Sequence, residues 1–290
     1  MKKRMNISEI IFQTFLVLIM IGLMIVTLYP IWYVFVASLS DATEVIKANG
    51  SMLWIKGFNL DAYVEVFKNK NIWTGYANTL FVVFTGTFLS LLVTAIGGYF
   101  LSRKNVMWQG FIAVAIVFTM YFSGGLIPRY FTVRDLGLAN SLWALILPVL
   151  VSTYNLIIMR TAFASLPDAL SEAAEIDGAG HVRILFSVLL PLCGSTLAVL
   201  GLYYAVSYWN AWFDAMIFID IRSKFPLQLI LREIVMYNTT QNEMIVVDKF
   251  DLAETVQYAT IIVATLPILV LYPIIQKYFE KGVMIGAVKG

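Results

Sequence analysis

Ser165-Leu166-Pro167-Asp168-Ala169-Leu170-Ser171-Glu172-Ala173-Ala174-Glu175-Ile176-Asp177-Gly178-Ala179-Gly180 is a polar, small-residue stretch in an otherwise apolar chain. Ser165 is followed three residues later by Asp168, with Pro167 between them. That order predicts a helix start: a capping hydroxyl, an acid near the positive helix end, and a proline where no amide hydrogen is needed. The short helix that follows would carry Leu170, Ala173, Ala174 and Asp177 on one face, with Asp168, Glu172 and Glu175 as an acidic strip beside it. Gly178 suits the left-handed turn that ends such a helix. A second short helix is expected from Ala179 to Phe186, before Pro191 opens the next apolar run. The small alanine face permits close backbone approach, so the pair could dock into a groove on another protein. It could equally be a helical loop lying on its own membrane domain.

The surroundings of this loop set the fold class. The chain has 290 residues, of which 60% are hydrophobic and 13% charged, against roughly 25% charged in soluble domains. With a window of about 19 residues, apolar stretches fall at residues 10–36, 76–100, 110–126, 141–159, 192–219 and 258–275. Each is long enough to cross a bilayer core as a helix, which takes about 20 residues. The expected fold is therefore an all-α membrane protein with six transmembrane helices. The first run follows Lys2, Lys3 and Arg4, but its apolar core exceeds the ~7–15 residues of a signal peptide, so it is read as a retained anchor. No linker or low-complexity tract interrupts the pattern, and residues 1–290 read as one membrane domain.

Orientation rests on the basic residues. With the N-terminus inside, Lys2, Lys3, Arg4, Arg103, Lys104, Arg160, Arg183, Lys277, Lys281 and Lys289 are cytoplasmic. As many basic residues fall on the other side, but most of those lie in two long loops, mixed with acids, where they count for less. Both termini and the loop of residues 160–191 are then expected in the cytoplasm. A net charge of +2 does not suggest nucleic acid as a partner. Cys193 and His181 are the sole cysteine and histidine, which excludes disulfide scaffolds and clustered Cys/His metal sites.

The wording of the loop adds a resemblance. Glu172-Ala173-Ala174, three residues, Gly178, nine residues, then Val188-Leu189-Leu190-Pro191 resembles the signature of binding-protein-dependent ABC importer permeases, with Val188 in place of the usual isoleucine. Tyr29-Pro30, Arg160, Tyr208-Trp209-Asn210 and the tail from Tyr278 to Gly290 resemble the maltose-permease-like carbohydrate branch, closest to permeases for complex oligosaccharides. The resemblance implies the type I importer fold, with a family core at about residues 72–280, a coupling loop at 160–191 and a cytoplasmic tail at 277–290. It implies ATPase coupling through Glu172, Ala173, Ala174, Asp177 and Gly178, and a tail, including Gly286, Lys289 and Gly290, that contacts the ATPase. The implied partners are a second, distinct permease subunit, two cytoplasmic ATPase subunits, an extracytoplasmic solute-binding protein, membrane lipid and a carbohydrate. The location is the bacterial cell membrane.

No G-x-x-x-x-G-K-[ST] sequence occurs, so this chain cannot cradle ATP in the P-loop manner. It is expected to bind no cofactor, ATP and magnesium belonging to the partner subunits. It is not expected to be an enzyme, since no convergent acids, bases or metal ligands share one membrane depth. An ion-coupled carrier of a polar solute is the competing reading. Such carriers need ionisable residues inside the membrane, and Asp214 is the acid that the fifth apolar run holds.

That run is the most polar and aromatic: Tyr203, Tyr204, Ser207, Tyr208, Trp209, Asn210, Trp212 and Asp214. Aromatic faces can stack on sugar rings, and hydroxyl and amide groups can replace water around sugar hydroxyls. The substrate path is expected along Tyr204, Tyr208, Trp209, Asn210, Trp212 and Asp214, with Tyr121 and Asn155 as further candidates. The alternative is an interfacial aromatic belt with Asn210 satisfying a neighbouring helix.

Overall fold

The computed structural model describes residues 7–241 and 254–270, and the described residues are helical with no strand. Helices are what an apolar chain must form in lipid, because each backbone N–H and C=O has to find its partner within the segment. The chain separates into two compact units, Met1–Asn69 with Glu233–Thr265, and Lys70–Arg232 with Leu266–Gly290.

In the first unit, α1 (Ile7–Ser38) is a 32-residue helix. At about 1.5 Å per residue it exceeds a ~30 Å hydrocarbon core. None of its most apolar stretch is buried inside the chain, as suits a helix facing lipid. Its C-terminal third is fixed by the segment that follows. Tyr29 Oη donates to Gly50 O (3.0 Å) and Trp32 Nε1 to Leu53 O (2.8 Å). Two short helices come next, α2 (Ala42–Ala48), with Asp41 accepting from the Thr43 amide as its cap, and α3 (Asp61–Lys68). The Thr43 hydroxyl and amide bonded to the Asp41 carboxylate hold its pKa below the usual value. Val36, Ala37, Val45 and Met52 form a small core, against which Tyr33 and Tyr258 also pack.

The second unit is organised around α4 (Lys70–Ser102), an uninterrupted 33-residue helix. The runs after it are bent. The third expected span, 110–126, becomes α5 (Gln109–Tyr121) and α6 (Leu126–Asp135), related by 113°. The break falls at Gly124-Gly125, and Pro128 sits in the first turn of α6, where an amide hydrogen is not required. The fourth, 141–159, begins as 3-10 turns at Leu142–Leu145 and Leu147–Val149 and resumes as α7 (Thr153–Ala164) after a 52° bend. Pro148 deprives that run of a backbone donor.

After α8 (Asp168–Ile176), the expected separate helix at 179–186 is instead one continuous helix, α9 (His181–Leu192), with Pro191 inside it. A π turn at Ile184–Leu189 precedes the proline and widens the ladder where a hydrogen-bond donor is missing. The chain then turns by 88° into α10 (Gly194–Trp209). The fifth expected span, 192–219, therefore starts at this turn and is interrupted again at Asn210-Ala211 before α11 (Trp212–Phe218). The helix α12 (Leu227–Gln241) follows, and α13 (Glu254–Val270) starts four residues ahead of the sixth expected run and overlaps it from Tyr258 on. Among the described residues, two helices are long and apolar enough to span alone, and three bent pairs pass the same test together.

Glycines let α4 approach its neighbours. A Cβ on Gly98 would meet Met159 Cγ at 2.9 Å and the Arg160 amide at 3.1 Å on α7, and one on Gly86 would meet the Tyr208 ring at 2.7 Å on α10. Such close approach through small residues is how membrane helices gain packing when lipid gives no hydrophobic drive.

Candidate functional site

Two places in the second unit carry chemistry. The first is the loop built on α8. Its N-terminus differs from expectation: Pro167 occupies the cap position with no side-chain bond, while Ser165 Oγ donates to Ala162 O at 2.8 Å, closing the end of α7. The serine thus satisfies an orphan carbonyl of the preceding helix and not an amide of the next. The C-terminus is as expected. Gly178 has φ +77°, its amide donates to Glu175 O and the Ala179 amide to Ala174 O, both at 2.9 Å. Those two bonds are the Schellman arrangement, which needs the left-handed residue that glycine supplies without strain.

The face assignment shifts by one position. Ser171 is buried and Ala174 half-buried against the π turn of α9, while Leu170, Glu172, Ala173, Glu175 and Asp177 are exposed. Beneath lies a core of Tyr99, Met159, Phe163, Ile184, Leu185, Leu189, Cys193 and Leu200. Arg160 Nε donates to Leu101 O (3.1 Å), tying α7 to the last turn of α4, and Tyr99 Oη pairs with His181 Nδ1 (3.0 Å). The exposed surface combines Glu172, Ala173, Asp177 and Gly178 with two bare apolar side chains, Ile176 at 87% exposure and Val182 at 73%. An isolated loop gains nothing by exposing them, whereas a knob that enters another protein's groove does.

The second place is a cleft of about 580 Å³ beside the break in the fourth apolar run. It is lined by Pro148, Ser152, Tyr154, Asn155, Tyr203, Tyr204, Ser207 and Tyr208, with Val149 and Val151. Of the candidates read from sequence, it brings together Tyr204, Tyr208 and Asn155. The two tyrosine hydroxyls are engaged. Tyr208 Oη lies 2.8 Å from Ser90 Oγ and donates to Ile146 O at 3.5 Å. Tyr204 Oη lies 2.7 Å from Thr94 Oγ1 and accepts the Ser152 N–H at 3.2 Å. One turn apart on α10, they hold backbone groups on either side of the break.

The remaining candidates lie elsewhere. Trp209 is buried edge-to-face against Tyr76, and its indole N–H has no acceptor among the described residues. Asn210 turns back on its own helix, donating to Val206 O (2.9 Å). The Arg232 guanidinium stacks over Trp212 at 3.9 Å. Asp214 accepts from Arg129 Nη2 at 2.7 Å, and Arg129 also lies over the Phe218 ring. Tyr121 is 75% exposed. Gly286, Lys289 and Gly290 lie outside the described residues. Pro148, Ser152 and Tyr154 were missed from the sequence, although a proline followed four residues later by a capping serine marks a broken helix.

Residues 70–285 match the family described as binding-protein-dependent transport system inner membrane component. The chain belongs to that family. Among the relatives of this permease is the polygalacturonan/rhamnogalacturonan transport system permease protein YtcP of Bacillus subtilis (strain 168). The two are 37% identical, over 92% of this chain and 94% of the relative. Protein LplC of the same organism is 34% identical over 97% and 95%. A solved chain from a bacterial ABC transporter involved in the import of the acidic polysaccharide alginate superposes with a TM-score of 0.87. It is 31% identical, covering 96% of this chain and all of that one. The protein is thus an all-α ABC importer permease of type I fold, a transport component and not an enzyme. It is a membrane protein that works with an ATPase and a binding protein.

Proposed function

We propose that this permease carries a carbohydrate, an oligosaccharide, across the cytoplasmic membrane as one half of a pore whose other half is a second, homologous but distinct subunit. Two ATPase subunits drive it, with ATP and magnesium bound on them, and an extracytoplasmic binding protein feeds it. Residues 1–290 act as one permease domain with both termini in the cytoplasm. Glu172, Ala173, Ala174, Asp177 and Gly178 form the coupling surface, and Gly286, Lys289 and Gly290 extend that contact along the tail. Tyr204, Tyr208 and Asn155 border the sugar path, with Tyr121, Trp209, Asn210, Trp212 and Asp214 shaping its surroundings.

The observation that carries this reading is the knob at α8, an exposed acidic and apolar surface stopped by a left-handed glycine on a chain of the importer family. Motion of an ATPase groove would move α8 and α9 as one piece, because they share a buried core, and α9 leads directly into α10 beside the cleft. Alternating access follows from a shift between two arrangements that ATP binding biases. The carbohydrate assignment is supported by the relatives' transport of polygalacturonan/rhamnogalacturonan and of alginate and by the aromatic, hydroxyl-rich cleft. The ion-coupled alternative loses its best residue, since the Asp214 carboxylate is paired with Arg129.

Purifying the tagged chain from its own cells in mild detergent tests the assembly. Recovery of a P-loop ATPase and a second permease is expected. A chain that purifies alone and transports after reconstitution would overturn the proposal.

A further inference from the structure

Between α1 and α3 the chain makes a detour in the first unit. Helix α1 stops at Ser38, and Asn49-Gly50 reverse the chain after α2, with φ +44° and +81°. The reversal sends the next residues back along α1, where Tyr29 holds Gly50 O and Trp32 holds Leu53 O. Three residues later the chain is again at the helix end. Asp41 N–H donates to Lys56 O (3.0 Å), Lys56 N–H to Ser40 Oγ (3.2 Å) and Asn59 N–H to Leu39 O (3.0 Å). Leu53-Trp54-Ile55 is therefore the tip of a loop that dips beside α1. Trp32, which holds the tip, lies six residues before the end of α1, a rise of about 9 Å.

The tip is apolar on its outer side. Met52, just ahead of it, is buried in the small core of the first unit, but Trp54 is 75% exposed and Phe58 67%, with Leu53, Leu60 and Val64 exposed as well. A run of bare apolar side chains of this size marks an interaction surface. Two observations choose lipid as what covers it. The surface is continuous with that of α1, where Ile31 and Trp32 are exposed on a helix whose most apolar stretch is nowhere buried inside the chain. Tyr29, Trp32 and Tyr33 are also the residue types that sit at headgroup level on a spanning helix, and Leu53 is hydrogen-bonded to one of them. A soluble protein approaching from the water would meet the end of α1 before it reached a tip set back along that helix.

We infer that residues 53–58 form a foot that rests on the bilayer, in the headgroup layer of the leaflet from which α1 emerges, with Trp54 and Phe58 against the boundary of the acyl chains. This is a segment that lies on the membrane and does not span it. An indole suits that depth, having an apolar body and one N–H for the wet side, and Lys56, exposed between the two rings, can lay its stem on apolar surface while its ammonium stays among phosphates. The foot sets the depth of α1. Because Trp32 and Tyr29 are tied to it, sliding the helix into the bilayer would drag loop backbone into hydrocarbon, and sliding it out would bare Trp54 and Phe58 to water. The segment lies ahead of residues 70–285, which carry the family match, and the inference does not depend on the solute carried.

The test encodes a photoreactive benzophenone amino acid in place of Trp54, or in place of Glu44 on α2 as the comparison, in the assembled transporter. Both positions are on the exposed surface of the first unit, so neither change disturbs its core. The complexes are reconstituted in vesicles of phosphatidylethanolamine and phosphatidylglycerol with the binding protein in excess, illuminated, and this chain is analysed by mass spectrometry. A phospholipid adduct is expected at position 54, at least fivefold more abundant than at position 44. Equal lipid labelling at the two positions, no adduct at position 54, or capture there of the second permease or the binding protein in place of lipid would each overturn the foot, the last by showing a protein interface.

Discussion

Tyr208 Oη and Ser90 Oγ lie 2.8 Å apart, joining α10 to α4 at a point where both residues are buried. The pair repeats one turn away as Tyr204 with Thr94, and the two tyrosines also take up Ile146 O and Ser152 N–H on either side of the broken run. Broken helices survive at membrane depth only if their freed backbone groups are satisfied. The tyrosines serve this need, so their hydroxyls hold the cleft open more than they receive a sugar. Tyr204→Phe and Tyr208→Phe are each expected to destabilise the purified transporter by about 0.6–2 kcal/mol, the range for interhelical hydrogen bonds in membranes. The double variant should lose more, with the cleft collapsing. Thermal unfolding in nanodiscs measures it, and unchanged melting in the double variant would show that the break is held by something else.

Gly178 offers a cleaner separation of folding from coupling. Nothing lies within 4 Å of a Cβ added there, so the cost of substitution is conformational, from φ +77°, and amounts to about 1–2 kcal/mol for an L-residue. Gly178→Val should leave the protein in the membrane and assembled but reduce uptake at least tenfold, while ATP hydrolysis by the complex continues. Normal uptake by this variant would count against the coupling role.

The glycine contacts of α4 predict the opposite behaviour. Gly98→Val must push against Met159 and the backbone of Arg160, and overpacking of this kind costs about 1–3 kcal/mol. Reduced membrane abundance and melting temperature are expected. Gly110→Ala, with open space around it, should be neutral, and equal abundance of the two variants would remove the close-packing argument.

The Arg129–Asp214 pair is partly exposed, at 34% and 17% of side-chain area. Asp214→Asn is therefore expected to cost on the order of 1–2 kcal/mol, between exposed and buried pairs, while transport stays ATP-driven and insensitive to a collapsed proton gradient. Exchanging the two residues should recover part of the stability. Uptake by the wild-type chain that disappears with a protonophore while ATP is held constant would restore the ion-coupled reading.

The spans were legible because lipid leaves an apolar chain little choice but to form helices. Gly178 was legible because a left-handed helix stop is a local requirement. Ser165 was misplaced because a serine ahead of Pro167 can serve the end of one helix as well as the start of the next, and the choice falls to the Ala162 carbonyl. The bend at Pro148 was missed, because its form follows from partners far along the chain, such as Tyr204 for Ser152. Aromatic density in the fifth run pointed to the cleft. It could not separate Tyr204 and Tyr208 from Trp209, Trp212 and Asp214, whose neighbours Tyr76, Arg232 and Arg129 come from other helices.

Cross-linking at the knob tests coupling most directly. Cys193 is buried, so Ala173→Cys places one accessible thiol on the exposed face of α8. In membranes holding the assembled transporter, this thiol should cross-link through a short maleimide–diazirine reagent, whose photoreactive end needs no second thiol, to the P-loop ATPase, with a yield that changes when ATP is added. A thiol that reacts fully with a small maleimide yet never cross-links to the ATPase, with or without ATP, would contradict the account.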